Sequence, residues 1–180
     1  MDTNKNANSE GFVAMVIKGL DKEKPNTAMR AALRQADNPA TAFRSWEYLS
    51  YWCNIQKDRE LKAFALIGAS MARARKVPEA KGGWRIGQAL AQYYSQRKQN
   101  NNREDDSDTE DKIKLRRLLA CKTTQEACVI LRPVLRLITA DEAIHLDYVT
   151  LLKDLIYFNE RTKVRWARDF YDHYHKKEEA

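Results

Sequence analysis

Two short spacings in this 180-residue chain set a carboxylate three residues before a histidine, Glu142-x-x-His145 and Asp172-x-x-His175. On a helix each pair would share a face. Two such pairs, joined by a glutamate from each of two further helices, build a di-iron site. The remaining residues do not complete that set. Glu142 is better used at the third position of a capping box begun by Thr139, and no other predicted helix carries an inward glutamate on its apolar stripe. His173 and His175 are two apart and point to different sides of a helix, and no serine sits in a nucleophile elbow. Cys53, Cys121 and Cys128 are odd in number and lack metal-like spacing, so they read as buried, reduced thiols. The run Lys81-Gly82-Gly83-Trp84-Arg85-Ile86-Gly87 has the glycine content of a phosphate loop. It lacks both the Gly-Lys-Ser/Thr ending and a preceding strand. It reads as a loop-to-helix junction, whose free N–H groups can still meet a phosphate. No catalytic residue, cofactor or metal is expected, and the protein is not expected to be an enzyme.

Cationic side chains offer more. Arg30 and Arg34 are spaced i, i+4, and so are Arg132 and Arg136. Arg73, Arg75 and Lys76 crowd the end of one predicted helix, with Lys81 and Arg85 just beyond, and Arg116 and Arg117 are adjacent. Like charges one turn apart repel by a few tenths of a kcal/mol. A chain with no anionic partner tends to alternate signs there, as Arg165 and Asp169 do. A solvated face or partners for helix dipoles is the bland alternative. On their spacing all four arginines of the two i, i+4 pairs are expected on exposed faces, where their removal should spare the fold. The 4 Trp and 8 Tyr could stack bases, but most sit at core spacing and are assigned to packing.

The net charge of +7 is unevenly spread. Residues 1–29 net zero, 30–98 net +8, 99–111 net −5, 112–140 net +6 and 141–180 net −2. Two basic blocks separated by an acidic stretch are the footprint of a backbone binder.

Helical periodicity supplies the elements that position these groups. With 6 Gly and 4 Pro the chain is too poor in turns for a β-sandwich, and no convincing strand is found. A short helix begins at Phe12 and stops near Pro25. Met29, Ala32, Leu33 and Ala36 form the stripe of a second, ended by Asn38-Pro39. A third starts at Thr41 and carries Phe43, Trp46, Tyr48, Leu49 and Trp52. A fourth spans Leu61 to Ala72 and runs out before Pro78, and Trp84 to Gln96 makes a fifth. Further helices follow at about 111–121, 124–138, 142–157 and 160–175. Pro133 should kink the second of these by pushing Arg132 from helical dihedrals. In the last, Val164, Ala167, Tyr171 and Tyr174 are expected to face inward. Residues 99–111 contain no apolar residue and read as a loop. The prediction is an all-α fold of about nine helices in two packed halves, 1–98 and 112–180, joined by 99–111. The polar start, Met1 to Glu10, is not a signal peptide, and no stretch approaches a membrane span, so a cytoplasmic location is expected.

Several motifs in this order resemble one family. Ile86-Gly87-Gln88-Ala89-Leu90-Ala91 is similar to the glycine-centred helix of the CasB-type small subunit of type I-E CRISPR Cascade. Leu115-Arg116-Arg117-Leu118-Leu119 and Leu131-Arg132-Pro133-Val134-Leu135-Arg136 resemble its paired helices. Leu146-Asp147-Tyr148 and the run from Val164 to Tyr171 resemble its closing segment, and Arg30-Ala31-Ala32-Leu33-Arg34 its early basic helix. The likeness spans roughly residues 28 to 171 and departs at the Asn- and Asp-rich stretch 99–111.

The resemblance implies a non-catalytic subunit, present in two copies, that contacts the backbone and large subunits of a complex carrying guide RNA. There it would help hold opened target DNA, including the displaced strand. Carried over as backbone contacts are Arg34, Arg116, Arg117, Arg132 and Arg136. Arg30, Arg73, Arg75, Lys76, Lys81 and Arg85 rest on charge clustering alone. Opening a duplex against a guide is a nearly balanced exchange, tipped by protein contacts to the backbone. A basic helical body supplies such contacts without reading sequence. The competing expectation is a purely structural adaptor whose basic faces meet acidic protein surfaces.

Overall fold

Ten consecutive buried residues, Ala63 to Ala72, form the middle and end of the helix around which the chain is organised. The computed structural model describes residues 3–79, 82–101 and 107–178. Among them are nine α-helices: α1 (Thr3–Leu20), α2 (Thr27–Arg34), α3 (Trp46–Leu49), α4 (Asp58–Arg73), α5 (Ile86–Asn101), α6 (Ser107–Leu119), α7 (Thr124–Ile138), α8 (Tyr148–Ile156) and α9 (Glu160–Glu178). The all-α prediction holds. The one β pairing among the described residues is an isolated bridge between Trp84 and Leu146.

A helix apolar all round must be covered all round. α4 is enclosed by α1, α2, α7 and α8. Gly68 admits its neighbours, since a Cβ there would stand 3.1 Å from Leu33 and 3.2 Å from Phe12. Phe12 also meets Phe64 edge-on, with centroids 5.0 Å apart. The second grouping is α5 laid along α9, with α6 against α7 and α9. Gly87 makes that approach possible, because a Cβ would fall 2.3 Å from the Trp166 carbonyl oxygen. One buried apolar cluster runs through both groupings.

Several local expectations change. α1 begins at Thr3, ahead of the apolar residues that signalled it. The predicted third helix is broken into a 3-10 turn at Ala42–Ser45 followed by the single turn α3. Thr139 does not open a capping box. It ends α7 and donates its hydroxyl to the Leu135 carbonyl at 2.7 Å, and Glu142 lies outside any helix. The cap of α8 is Asp147, which accepts from the Thr150 N–H at 2.9 Å. Helix α7 stays continuous through Pro133, and Arg132 is helical. Pro133 is exposed, as is Val129, so the carbonyl that loses its partner faces water. The inward stripe of α9 is Trp166, Phe170 and Tyr174, while Val164 is 66% exposed. Helices α5 and α6 also enter the 99–111 stretch, ending at Asn101 and starting at Ser107. The rest of the loop expected there, 102–106, lies outside the described residues. No described helix is long and apolar enough to cross a membrane.

Candidate nucleic-acid interface

The last turn of α4 leaves carbonyls without intrahelical donors. Helix α2, started by Asn26 accepting from the Met29 N–H at 2.9 Å, crosses that end and serves it. Arg30 and Arg34 both donate Nε–H to the Ala72 carbonyl, at 3.3 and 3.0 Å. Arg73, the final residue of α4, reaches back to the Arg34 carbonyl. Its guanidinium also grips Asp37 in a two-point pair, at 2.8 Å to Oδ2 and 2.5 Å to Oδ1. From α7, Arg132 brings Nε to 3.3 Å of Asp37 Oδ2, close enough for charge attraction but not aligned for a hydrogen bond.

Four predicted residues from three helices, Arg30, Arg34, Arg73 and Arg132, therefore gather at one place. Arg73 and Arg132 share Asp37 as counter-ion, its side chain 2% exposed, while the Arg30 and Arg34 side chains meet the Ala72 carbonyl instead. Four guanidiniums against one carboxylate leave a surplus of positive charge. Arg34 is exposed, and the Arg73 and Arg132 side chains are 23% and 35% exposed, so the surplus faces water. One turn beyond Arg132, Arg136 is exposed and has no ion pair among the described residues. The expectation that the four i, i+4 arginines could be removed without touching the fold is corrected here. Three of them have partners in the protein.

The other basic residues are placed differently. Arg75 is exposed just past α4, and Lys76 lies 3.9 Å from Glu79. Arg116 and Arg117 are exposed in the last turn of α6, with no ion pair among the described residues. Arg85 stands 3.6 Å from the buried Asp169 of α9 and so belongs to the α5–α9 contact. Lys81 lies outside the described residues. Beside it Gly82 has φ +88°, a left-handed conformation suited to glycine, and Arg85 N–H donates to Gln88 Oε1 at 3.1 Å, closing part of the α5 N-terminus.

Sequence reasoning missed Asp37 and the Ala72 carbonyl. A signal for Asp37 existed: a carboxylate just past the C-terminus of α2 opposes the helix dipole, so its place there needs another explanation. The expectation that the tryptophans and tyrosines mostly serve packing fails at Trp46 and Tyr51, which are 42% and 81% exposed. Phe43 is 58% exposed as well, with the Arg44 guanidinium 5.9 Å from its ring centre.

Little among the other described residues suggests chemistry. Burial pushes the thiols of Cys53 and Cys128 up to about 12, and raises that of Cys121. Such thiols are protonated and poor nucleophiles. His173 faces Gln92 Oε1 at 3.2 Å and the Trp84 ring, and His175 stacks on Tyr171. No three His, Cys, Asp or Glu side chains group as metal ligands among the described residues.

Comparison with known proteins supplies the family. Residues 29–171 match the family described as CRISPR-associated protein Cse2. No curated protein matches the sequence. The fold is shared with several solved structures. A Cse2-family CRISPR-associated protein from Thermus thermophilus is 23% identical, with TM-score 0.66, covering 91% of this chain and 97% of its own. A chain of a CRISPR RNA-guided surveillance complex is 20% identical, with TM-score 0.71 and coverages of 97% and 98%. CasB from M. ruber is 21% identical, with TM-score 0.68 and coverages of 93% and 97%. With most of its length matched by the family and its glycine-centred helix seated against α9, the chain belongs to the CRISPR-associated Cse2 family.

Proposed function

We propose that this protein is a non-catalytic small subunit of a CRISPR RNA-guided surveillance complex that holds nucleic acid by its backbone and stabilises opened target DNA. The observation that carries this is the surplus of arginines around Asp37, which is held in place by the fold itself. A guanidinium already positioned by one carboxylate or carbonyl loses less conformational freedom when it meets a phosphate, and its planar fork suits phosphate oxygens. Contacts to phosphates carry no sequence information, so the grip in this reading is sequence-independent. Arg75, Arg116, Arg117 and Arg136 add further exposed positive charge. Family membership and the likeness to a chain of a surveillance complex support a place beside guide RNA, target DNA, backbone and large subunits and a second copy.

Titration of labelled single and double strands at two salt concentrations tests the reading. Binding should be weak, in the range of about 10⁻⁴–10⁻⁶ M near physiological salt, with log K falling by about 0.7–0.9 per phosphate neutralised. Salt-independent or strongly sequence-selective binding would overturn it. No binding to DNA by a protein that still joins its complex would favour the adaptor, with these arginines meeting acidic protein surfaces.

A further inference from the structure

Next to the arginine cluster lies a cleft of about 440 Å³ between the start of α4, the outer side of α7 and the chain that follows α2. Its walls are carbon-rich, formed by Pro39, Ala42, Leu61, Leu66 and Val129 among others. The volume lies within the usual range of small-molecule sites, roughly 300–1,000 Å³. Val129 is 60% exposed, so this apolar wall is open to solvent.

Polar groups line the cleft as well as carbon. Asp37 and Arg132 belong both to its lining and to the cationic cluster. Asp58, Lys62, Gln125 and Glu126 also contribute. Lys62 sits 2.8 Å from Asp58, and Gln125 donates to the same carboxylate at 3.1 Å. Apolar walls with hydrogen-bonding groups among them suit a planar group that has apolar faces and polar edges. A strand whose phosphates lie on Arg34, Arg132 and Arg136 would bring such groups to the cleft, since each nucleotide carries one.

We propose that this cleft receives a nucleobase of single-stranded nucleic acid, unstacked from its neighbours while the adjoining phosphates rest on the arginine cluster. This rests on the backbone-binding reading above and adds a base subsite to it. The site favours single strands over duplex, because a paired base cannot enter. It does so without a fixed sequence, because apolar contact with a base face is available to every base.

The test compares a short oligodeoxythymidine with an abasic strand of the same length and charge, using the full-length protein. Base insertion predicts that the base-bearing strand binds about tenfold more tightly, the effect of removing roughly 55 Å² of apolar surface from water. Val129→Trp fills the cleft from its exposed wall and alters no charge. It should bring the oligodeoxythymidine down to the abasic affinity while leaving the abasic strand unaffected. Ala42→Leu narrows the same cleft and serves if the tryptophan variant fails to fold. Equal binding of the two strands by the unaltered protein would overturn the base subsite and leave the backbone grip intact. Failure of both strands to bind would overturn both. A base preference that survives the filled cleft would place the base elsewhere and overturn this site. Equal strand binding, with Val129→Trp blocking entry into the assembled complex, would assign the cleft to a protein neighbour and also overturn it.

Discussion

Around Asp37, four arginines from α2, α4 and α7 gather on one buried carboxylate and one helix-end carbonyl. Where α9 packs, the proportions differ. Asp154 of α8 accepts from Trp166 Nε1 at 2.6 Å and pairs with Arg165, while Asp169 lies 3.6 Å from Arg85 and 4.0 Å from Arg168. Two acids there meet three arginines. Both regions use a buried aspartate to fix guanidiniums from separate helices. The α9 groups are near charge balance and act to join helices. The Asp37 group joins helices and also leaves cations unneutralised at the surface. A buried ion pair is thus poor evidence of function by itself, and the ratio of cations to acids is the informative quantity.

The largest expected effect tests whether Asp37 depends on its arginines. Arg73→Met removes the two-point partner of a carboxylate that stays buried, which should cost about 3–5 kcal/mol. Urea unfolding measures this, and Asp37→Asn in the same background should recover much of the loss. If Arg73→Met alone is nearly neutral, Arg132 suffices to compensate Asp37 and the cluster is looser than described.

Next in size is the α5–α9 contact. Gly87→Leu drives a side chain into the Trp166 carbonyl, where even a Cβ would stand at 2.3 Å. Overpacking of this kind costs about 1–3 kcal/mol. Gly68→Ala should cost less, since its neighbours at 3.1 and 3.2 Å are side-chain atoms that can yield. Thermal melts of the two variants should rank in that order, and the reverse order would mean that α9 moves away freely.

Stability should also respond to pH, in opposite directions at Asp154 and at Asp58. Burial raises the Asp154 carboxyl above its ordinary value of 3.8, although Trp166 and Arg165 pull it down. A carboxyl raised by folding binds more protons in the native than in the unfolded state. Its contribution to stability therefore falls as pH rises from about 3.8 through the raised value. Asp58 behaves oppositely. Its hydrogen bond with Lys62 lowers it, so its small contribution is lost as pH falls, discounted heavily because the pair is exposed. In melting against pH, Asp154→Asn should lose the first component that the parent protein shows, and parallel curves would refute it.

The smallest effect on stability belongs to the unpaired cations. Arg136→Ala, or Arg116→Ala with Arg117→Ala, should change stability by less than about 0.5 kcal/mol. Each phosphate contact removed should reduce the salt slope of DNA binding by about 0.7–0.9. An unchanged slope with an unchanged fold would remove those residues from the interface.

Helix identity, the all-α class and the basic character were legible from the residues because they depend on local periodicity and composition. Met29 and Leu33 recur at helical spacing and are buried, and Gly87 stands where two helix backbones must touch. The orientation of α9 was not legible. Its apolar and polar residues interleave so closely that a stripe through Val164 competes with the true one through Trp166 and Phe170. Partners from other helices decide between them, Asp154 for Trp166 and the α5 backbone at Gly87. Nor does periodicity show which exposed-looking arginine is already engaged. Arg34 and Arg73 are 39 positions apart, and Arg73 and Asp37 are 36 apart, so no local rule joins them. The amino-acid sequence by itself determined that this would be a helical, cationic member of its family. Only the tertiary structure decided which cations converge, because convergence depends on long-range packing that closes α2 and α7 over the end of α4 and leaves one buried carboxylate to hold the arginines there.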